Sequence, residues 1–236
     1  MRILPPMSRA AWTFLVLAAL AGVVLHVVPA IDRGVAALFF DGTRFPADSD
    51  RTVQFLRRLA HVPGYLVGAA ILVSIVRRLV GGRFWLGLDR KAIAFLLLVA
   101  IAAPVVLVNG ILKEHWGRAR PSQTEGLGGT RQFTPPFVPA DQCARNCSFV
   151  SGEASFGFYF VALGFLVAAP ARRRAVFAAA TLFGAAVSLI RIAQGGHYLS
   201  DVVFAGVFTV AIVWLLHHWI VREDALGRLF VRARAG

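Results

Sequence analysis

The sequence has 236 residues, of which 58% are hydrophobic and 16% charged, and its mean hydropathy is +0.69. A soluble domain of this length carries more charge, so the composition excludes a soluble globular protein and indicates an integral membrane protein. The formal net charge of +13 does not indicate nucleic-acid binding, because no Lys/Arg-rich run is interleaved with aromatics and because arginines commonly flank membrane spans.

Six apolar stretches are each a candidate membrane span, which takes about 20 mainly apolar residues. Backbone groups in lipid must bond to each other, so these stretches are predicted to be helices. They predict an all-α, polytopic membrane protein with six transmembrane helices in one bundle, forming a single domain over residues 1–236. The fourth stretch is short, so we expect it to be tilted or to begin earlier. The stretches are Ala11–Val28, Val62–Val80, Ala92–Leu112, Ala154–Ala169, Ala175–Ala193 and Val202–Val221.

Basic residues are divided unevenly between the two sides that these spans define. The side with both termini holds 14 basic and three acidic residues, and the other side holds 11 basic and nine acidic residues. Because basic loops stay in the cytoplasm, we expect a bacterial inner-membrane protein with cytoplasmic termini and outward loops at 29–61, 113–153 and 194–201. Val28–Ala30 resembles a signal-peptidase site, but the first apolar run exceeds the usual ~7–15-residue signal core, which favours a retained helix.

Two segments have the pattern of amphipathic helices that lie in the headgroup layer. Arg51–His61 and Arg222–Ala233 each set arginines against Leu and Phe at helical spacing. Basic amphipathic helices of this kind bind the membrane surface. Anchoring of the bundle is a sufficient role for both segments.

The first polar cluster, KEHWGRARP at Lys113–Pro121, ends the third span. Lys113 and Arg120 are seven residues apart, so a continued helix places both cations on one face, about 10.5 Å apart along the axis. Taken alone, the cluster is equally typical of a basic belt at the membrane surface. Arg118 and Arg131 are interpreted as solvated loop arginines, with contact to a lipid headgroup as the alternative.

The second cluster, SFVSGE at Ser148–Glu153, opens the fourth span. Ser151 is predicted to cap this helix, whose first turn presents backbone N–H groups to an anion. Gly152 allows a ligand to approach the backbone closely. A serine cap followed by Glu153 in the first turn is also typical of an ordinary helix start.

The third cluster, RIAQGGHYLSD at Arg191–Asp201, joins the last two spans. His197 and Asp201 are four residues apart, so on a helix they share one face, where a carboxylate orients the imidazole. Arg191 adds a cation six residues before the histidine. An interfacial histidine with both neighbours indicates a site rather than simple packing.

Together the clusters predict a phosphoryl-transfer site on the outward side. Three cations compensate the charge of a phosphate, and a neutral imidazole is a competent nucleophile at phosphorus. Cationic side chains take the place of a metal ion, and the sequence has no HxxH, HExxH or carboxylate cluster. We therefore expect neither a metal nor another cofactor.

These residues resemble the signature of the type 2 phosphatidic acid phosphatase superfamily, the metal-independent lipid phosphate phosphatases. That signature is K-x6-R-P, then P-S-G-H, then S-R-x5-H-x3-D. The resemblance implies that His197 attacks phosphorus, that Asp201 orients it, and that the remaining polar matches bind the phosphate. The matching residues are Lys113, Arg120 and Pro121, then Ser151 and Gly152, then Arg191, His197 and Asp201.

The chain departs from the family signature at three positions. Val150 replaces the proline of the second motif, and Ile190 replaces the serine before the arginine of the third. Glu153 replaces the second-motif histidine, which in the family protonates the leaving alcohol. We therefore expect Glu153 to be the leaving-group acid or, alternatively, to pair with an active-site arginine; His115 is a reserve candidate for the acid.

The substitution at Glu153 bears on the expected substrate. A sugar-linked phosphate or a pyrophosphate has a better leaving group than a simple glyceride phosphate and needs less help from an acid. This favours lipid A or a polyprenyl diphosphate as substrate over a glycerophospholipid phosphate.

The two cysteines, Cys143 and Cys147, lie in the outward loop, where the location favours a disulfide. The surrounding loop, within 113–153, is expected to roof the site. The sequence thus predicts a membrane lipid phosphatase that forms a phosphohistidine at the periplasmic face. A lipid phosphotransferase with the same intermediate and a non-catalytic lipid-binding relative are the alternatives. The sequence carries no indication of the oligomeric state.

Overall fold

The computed structural model describes residues 8–223, and every regular element in that range is helical. A single 3₁₀ turn, Pro121–Gln123, lies in the long loop after the third long helix. We number the other helices of this range in chain order. They are α1 (Arg9–Val27), α2 (Pro29–Ala37), α3 (Pro46–Ser49), α4 (Arg51–Leu59), α5 (Val62–Leu79), α6 (Arg90–His115), α7 (Gly152–Leu166), α8 (Pro170–Ala193) and α9 (Leu199–Arg222).

Five helical segments of the described range are long and apolar enough to cross a membrane. They contain 19 to 29 residues and have mean hydropathies of 1.9 to 2.7. These segments are α1, the nearly continuous pair α4–α5, α6, α8 and α9. The protein is therefore an all-helical, multi-pass membrane protein, and these five segments coincide with five of the six predicted spans.

The remaining predicted span corresponds to α7, which is shorter than the other five. It runs over Gly152–Leu166 and does not reach the predicted end at Ala169. At 1.5 Å per residue it is about 22 Å long, whereas the hydrocarbon core is about 30 Å thick. Most of its side chains are buried against α6, α8 and α9. The surroundings of α7 are therefore mainly other helices, whereas an outer helix of the bundle contacts lipid.

Small residues allow α7 and α8 to approach each other closely. A Cβ added to Gly157 of α7 would lie 3.0 Å from the Cα of Gly184 in α8, and one added to Gly184 would lie 2.5 Å from the Phe158 ring. Helices in lipid associate largely through such close packing. This contact sets the position of α7 along α8. The N-terminus of α7 lies at the site described below.

The segment predicted to lie in the headgroup layer forms α4, followed by a turn into α5. Asp50 caps α4, because its side chain accepts a hydrogen bond from the Val53 N–H at 2.9 Å. Phe55 and Leu59 are 62% and 48% exposed, as expected for a helix whose apolar face meets lipid. Apart from Arg222 and Glu223, the second predicted segment lies outside the described residues.

Candidate active site

Four helix ends bring the polar residues of the three motifs together. Lys113 and Arg191 lie at the C-terminal ends of α6 and α8, while Glu153 and Asp201 lie in the first turns of α7 and α9. The charges of Arg120, Arg191, Glu153 and Asp201 all act on Lys113. Motifs that are separated along the chain are thus neighbours in space.

His197 is buried beneath this group of charges, with 1% of its surface exposed. Its Nδ1 lies 2.8 Å from the backbone carbonyl of Ser148. A carbonyl can only accept, so Nδ1 carries the proton and Nε2 is left with a free lone pair. Burial lowers the pKa of the His197 imidazole to about 4. The ring is therefore neutral at pH 7, and Nε2 has the free lone pair that a nucleophile requires.

Asp201 supports the imidazole less directly than its sequence spacing predicts. Its Oδ2 is 3.8 Å from His197 Nδ1, which is beyond hydrogen-bond distance. The same oxygen instead accepts hydrogen bonds from the Ser148 hydroxyl at 2.5 Å and from the Tyr198 N–H at 2.8 Å. Asp201 is thus linked to His197 through Ser148, whose backbone carbonyl contacts the ring.

Arg118 is fully buried, so its interpretation as a solvated loop arginine is wrong. Its guanidinium donates to Asp201 at 2.5 Å and to Asp32 at 2.8 Å. It also donates to the Ser200 hydroxyl at 2.8 Å, and it lies 4.5 Å from the centre of the Tyr198 ring. Two carboxylates compensate the arginine where water is excluded, which is the condition under which a buried charge is tolerated.

Arg191 and Arg120 are held by contacts with the protein on one side. Arg191 is 5% exposed and donates to Gln194 Oε1 at 2.5 Å. A Cβ at Gly196 would lie 2.4 Å from Nη2, so a larger residue there requires the guanidinium to move. Arg120 donates to the backbone carbonyl of Asn146 at 2.8 Å. These contacts fix two cations before any anion binds.

The N-terminal end of α7 has the predicted serine cap. The Ser151 hydroxyl accepts a hydrogen bond from the Ala154 N–H at 3.3 Å, and the Ser151 N–H donates to the Asp201 carbonyl at 3.2 Å. The hydroxyl proton of Ser151 and the N–H of Gly152 are then the donors that an anion can use. A Cβ at Gly152 would lie 2.6 Å from the side-chain oxygen of Asn109, so a larger residue there requires that side chain to move.

Glu153 is bound by two guanidinium groups. Arg57 of α4 contacts both carboxylate oxygens, with distances of 3.0 Å from Nε to each and 2.6 Å from Nη2 to Oε1. Arg191 Nε lies 3.6 Å from the same Oε1. Paired cations of this kind stabilise the ionised form of a carboxylate. Arg57 was not among the predicted site residues, although the amphipathic pattern of its helix was recognised.

The loop between α6 and α7 is tied to the site by a disulfide and by backbone hydrogen bonds. Cys143 and Cys147 are joined in the structure. The Cys147 N–H donates to the Lys113 carbonyl at 2.9 Å, and the Ser148 N–H donates to the Arg118 carbonyl at 2.9 Å. The loop thereby places Ser148 under His197. His115, the reserve candidate for the acid, has an exposed side chain.

Comparison with known proteins identifies the family. The family model of the PAP2 superfamily matches residues 93–225, which is more than half of the chain. This chain belongs to the PAP2 superfamily. The resemblance predicted from the three motifs is therefore confirmed.

Named relatives of this PAP2 protein match over most of its length. A lipid A 4'-phosphatase of Francisella tularensis subsp. novicida is 33% identical over 211 residues, covering 89% of this chain and 95% of the relative. A lipid A 4'-phosphatase of Rhizobium etli is 34% identical over 207 residues, covering 81% of this chain and 78% of the relative.

A solved PAP2 structure has the same fold. It is the transmembrane PAP2-type phosphatidylglycerolphosphate phosphatase of Bacillus subtilis, which is 18% identical and superimposes with a TM-score of 0.54. The match covers 88% of this chain and 92% of the other. Asp32 and Arg57 lie before the part of the chain that the PAP2 family model matches. Neither residue belongs to the three motifs, although both contact motif residues or their partners.

Proposed function

We propose that this PAP2 protein is a metal-independent membrane phosphatase that removes a phosphate monoester from a sugar-based lipid of the lipid A class. The observation that carries the proposal is the buried, neutral His197, which has one free ring nitrogen and lies within range of the charges of Arg191 and Lys113. The lipid A 4'-phosphatases that match most of the chain support this substrate class.

The proposed reaction has two steps. Nε2 of His197 attacks phosphorus while the bond from phosphorus to the sugar oxygen breaks, which yields phosphohistidine and the lipid alcohol. Lys113, Arg120 and Arg191 compensate the charge on the phosphate oxygens. Water then attacks the phosphohistidine, releasing inorganic phosphate and regenerating the imidazole.

Hydrogen-bond donors at the N-terminal end of α7 complete the set of groups that bind the phosphate. The Ser151 hydroxyl and the Gly152 N–H lie at the positive end of the helix dipole, where anions are stabilised. Fixed donors and cations need no reorganisation as charge develops in the transition state. Because the cations supply this compensation, the reaction requires no metal ion.

Glu153 is proposed to give its proton to the leaving sugar oxygen only after substrate has bound. In the substrate-free site its two guanidinium partners keep it ionised. A phosphate dianion that takes over Arg57 and Arg191 leaves Glu153 beside an anion and without a counter-charge. Both changes favour uptake of a proton by a carboxylate. The substrate thereby creates the acid that its own cleavage needs.

The site is proposed to face the periplasm from the bacterial inner membrane, with α7 as the sixth crossing. The asymmetric distribution of basic residues supports cytoplasmic termini. The motif residues lie at the ends of α6, α7, α8 and α9 that this orientation directs outward. A lipid that has already been flipped to the outer leaflet can reach the site from there.

The experiment is a phosphate-release assay on the purified protein in detergent with four lipids. They are lipid A, phosphatidate, phosphatidylglycerophosphate and undecaprenyl diphosphate. We expect the highest kcat/KM on lipid A and a loss of about a thousandfold or more in His197→Ala.

Three results would contradict the proposal. Equal phosphate release by His197→Ala and the unmodified protein would indicate a non-catalytic role for the site. Transfer of labelled phosphate to a second lipid would indicate a phosphotransferase. A higher kcat/KM on one of the other lipids would exclude lipid A as the preferred substrate.

A further inference from the structure

A polar pocket lies beside the phosphate-binding cations and has no role in the reaction described above. Its volume is about 310 Å³, at the lower end of the range for small-ligand sites. The segment before α4 supplies Thr43, Arg44, Phe45, Asp48 and Ser49 to its lining, and the loop before α9 supplies Gln194. The pocket thus combines hydroxyls, a guanidinium, a carboxylate, an amide and an aromatic ring.

Gln194 connects this pocket to the phosphate site. Its Oε1 accepts a hydrogen bond from Arg191, so the side-chain amide is fixed with Nε2 as the other terminal atom. Gln194 is 3% exposed, and within the described residues its Nε2 has no hydrogen-bond partner. A buried donor without a partner is unfavourable and uncommon in folded proteins. The amide is therefore placed to donate to an oxygen of a ligand that enters the pocket.

Asp48 determines which part of a substrate fits here. Its charge acts on Arg57, Arg120 and Arg191, so the pocket adjoins the place where the phosphate binds. A carboxylate repels phosphate, but it accepts hydrogen bonds from hydroxyl and amino groups. The pocket is therefore suited to the hydroxyl- and amino-bearing portion of a headgroup, to whose oxygens the Arg44 guanidinium can also donate.

We propose that this pocket binds the sugar ring that carries the scissile phosphate, a proposal that rests on the proposed phosphatase function. Gln194 Nε2 donates to a ring or substituent oxygen, and Asp48 accepts from a ring hydroxyl or amine. The buried Phe45 supplies an apolar surface to the ring. A glycerol headgroup offers fewer groups to these partners, so the pocket is the source of preference for sugar-linked phosphates.

The test compares two lipids in each variant, because changes in charge near the cations affect every phosphate substrate. The measured quantity is the ratio of kcat/KM for lipid A to kcat/KM for phosphatidate. We expect this ratio to fall about tenfold in Asp48→Asn and about tenfold in Gln194→Glu. The Gln194→Glu variant keeps an oxygen that accepts from Arg191 but lacks the Nε2 donor. Asp141→Asn, which removes one exposed carboxylate from the long loop between α6 and α7 but outside the pocket lining, is the matched control and keeps the ratio of the unmodified protein.

A soluble competitor provides a second readout that does not depend on presentation of a lipid. We expect glucosamine phosphate to inhibit the unmodified protein more strongly than glycerol 3-phosphate does, and Asp48→Asn to lose this preference. Unchanged ratios and unchanged inhibition in both variants would overturn the sugar pocket while leaving the phosphatase function intact. An equal loss on both lipids would also overturn it, because it would assign these residues to phosphate binding. Absence of phosphate release from every lipid by the unmodified protein would instead refute the proposed function itself.

Discussion

Glu153 lies between Arg57 and Arg191, and its contact with Arg57 is bidentate. The side chains of Arg57 and Glu153 are 34% and 22% exposed, so an incoming ligand can reach both. The charge of Arg57 also acts on Arg120 and Arg191. An anion held by those two arginines therefore lies within reach of a fourth cation, which Glu153 holds in position until the anion arrives.

The contribution of Arg57 to phosphate binding is our first residue-scale prediction. Arg57→Ala should raise the inhibition constant for inorganic phosphate about three- to tenfold, because a partly exposed charged contact is lost. Arg58→Ala, which removes an exposed neighbour on the same helix, should leave the constant unchanged. The measurement is competitive inhibition of lipid A hydrolysis.

A double variant separates two explanations of such an effect. If Arg57 binds phosphate, Arg57→Ala combined with Glu153→Gln keeps the weakened affinity. If Arg57 acts only by neutralising Glu153, removing the carboxylate charge restores the affinity of the unmodified protein. Restoration would therefore contradict direct binding by Arg57.

The second residue-scale prediction concerns proton donation by Glu153. Glu153→Gln should lower kcat on lipid A by about a hundredfold, the typical loss of a general acid. On p-nitrophenyl phosphate, whose leaving group needs no proton, the loss should stay within about threefold. Equal losses on the two substrates would assign Glu153 to positioning of the arginines and not to proton transfer.

The sequence predicts the site residues that lie in spaced motifs but not their partners from other parts of the chain. The spacings of Lys113 to Arg120 and of His197 to Asp201 are visible in the sequence, but the prediction that each pair shares a helix is wrong. The helix α6 ends at His115, before Arg120, and α9 begins at Leu199, after His197. Arg118 pairs with Asp32, 86 residues away, and Arg57 pairs with Glu153, 96 residues away. No local periodicity specifies contacts between segments so distant, so these residues required the structure.

At the scale of elements, the short helix α2 is linked to the start of α9 through a buried network. Asp32 of α2 accepts hydrogen bonds from the Ser200 N–H and from Arg118, and Arg118 also binds Asp201. The network therefore joins α2 to the carboxylate of Asp201, which contacts Ser148 beside His197. The packing of α2 and the position of His197 are thus coupled.

This coupling gives a prediction for stability and activity together. Arg118→Leu leaves Asp32 and Asp201 buried without their cation, which should cost about 3–5 kcal/mol. We expect a lower unfolding temperature in detergent and a lower kcat at temperatures where the variant is still folded. Arg131→Leu, at an exposed loop position, is the control and should change neither. A stable Arg118→Leu protein with normal kcat would rule out the coupling.

The elements also differ in how far the sequence determines their ends. Capping residues mark the starts of α4 and α7, where Asp50 and Ser151 accept the expected hydrogen bonds. The C-terminal end of α7 differs from the predicted one, because a helix enclosed by other helices need not match the thickness of lipid. Apolar composition alone does not distinguish protein from lipid as the surroundings.

At the scale of the whole molecule, the short helix α7 packs against the three longer helices α6, α8 and α9. Close contact at Gly157 and Gly184 holds α7 against α8. Its first turn consequently meets the ends of α6, α8 and α9 at one level, where the cations and His197 lie. The fold positions the candidate site by fixing the height of a single short helix.

The central claim is that His197 becomes covalently phosphorylated during turnover, and trapping that intermediate tests it most directly. Protein mixed with lipid A carrying ³²P in the scissile phosphate is quenched in base within the first turnover, since phosphohistidine survives base but not acid. The account predicts label on the peptide that contains His197, and no label in His197→Ala. Phosphate release at a normal rate with no label on His197, or label that persists in His197→Ala, would contradict it.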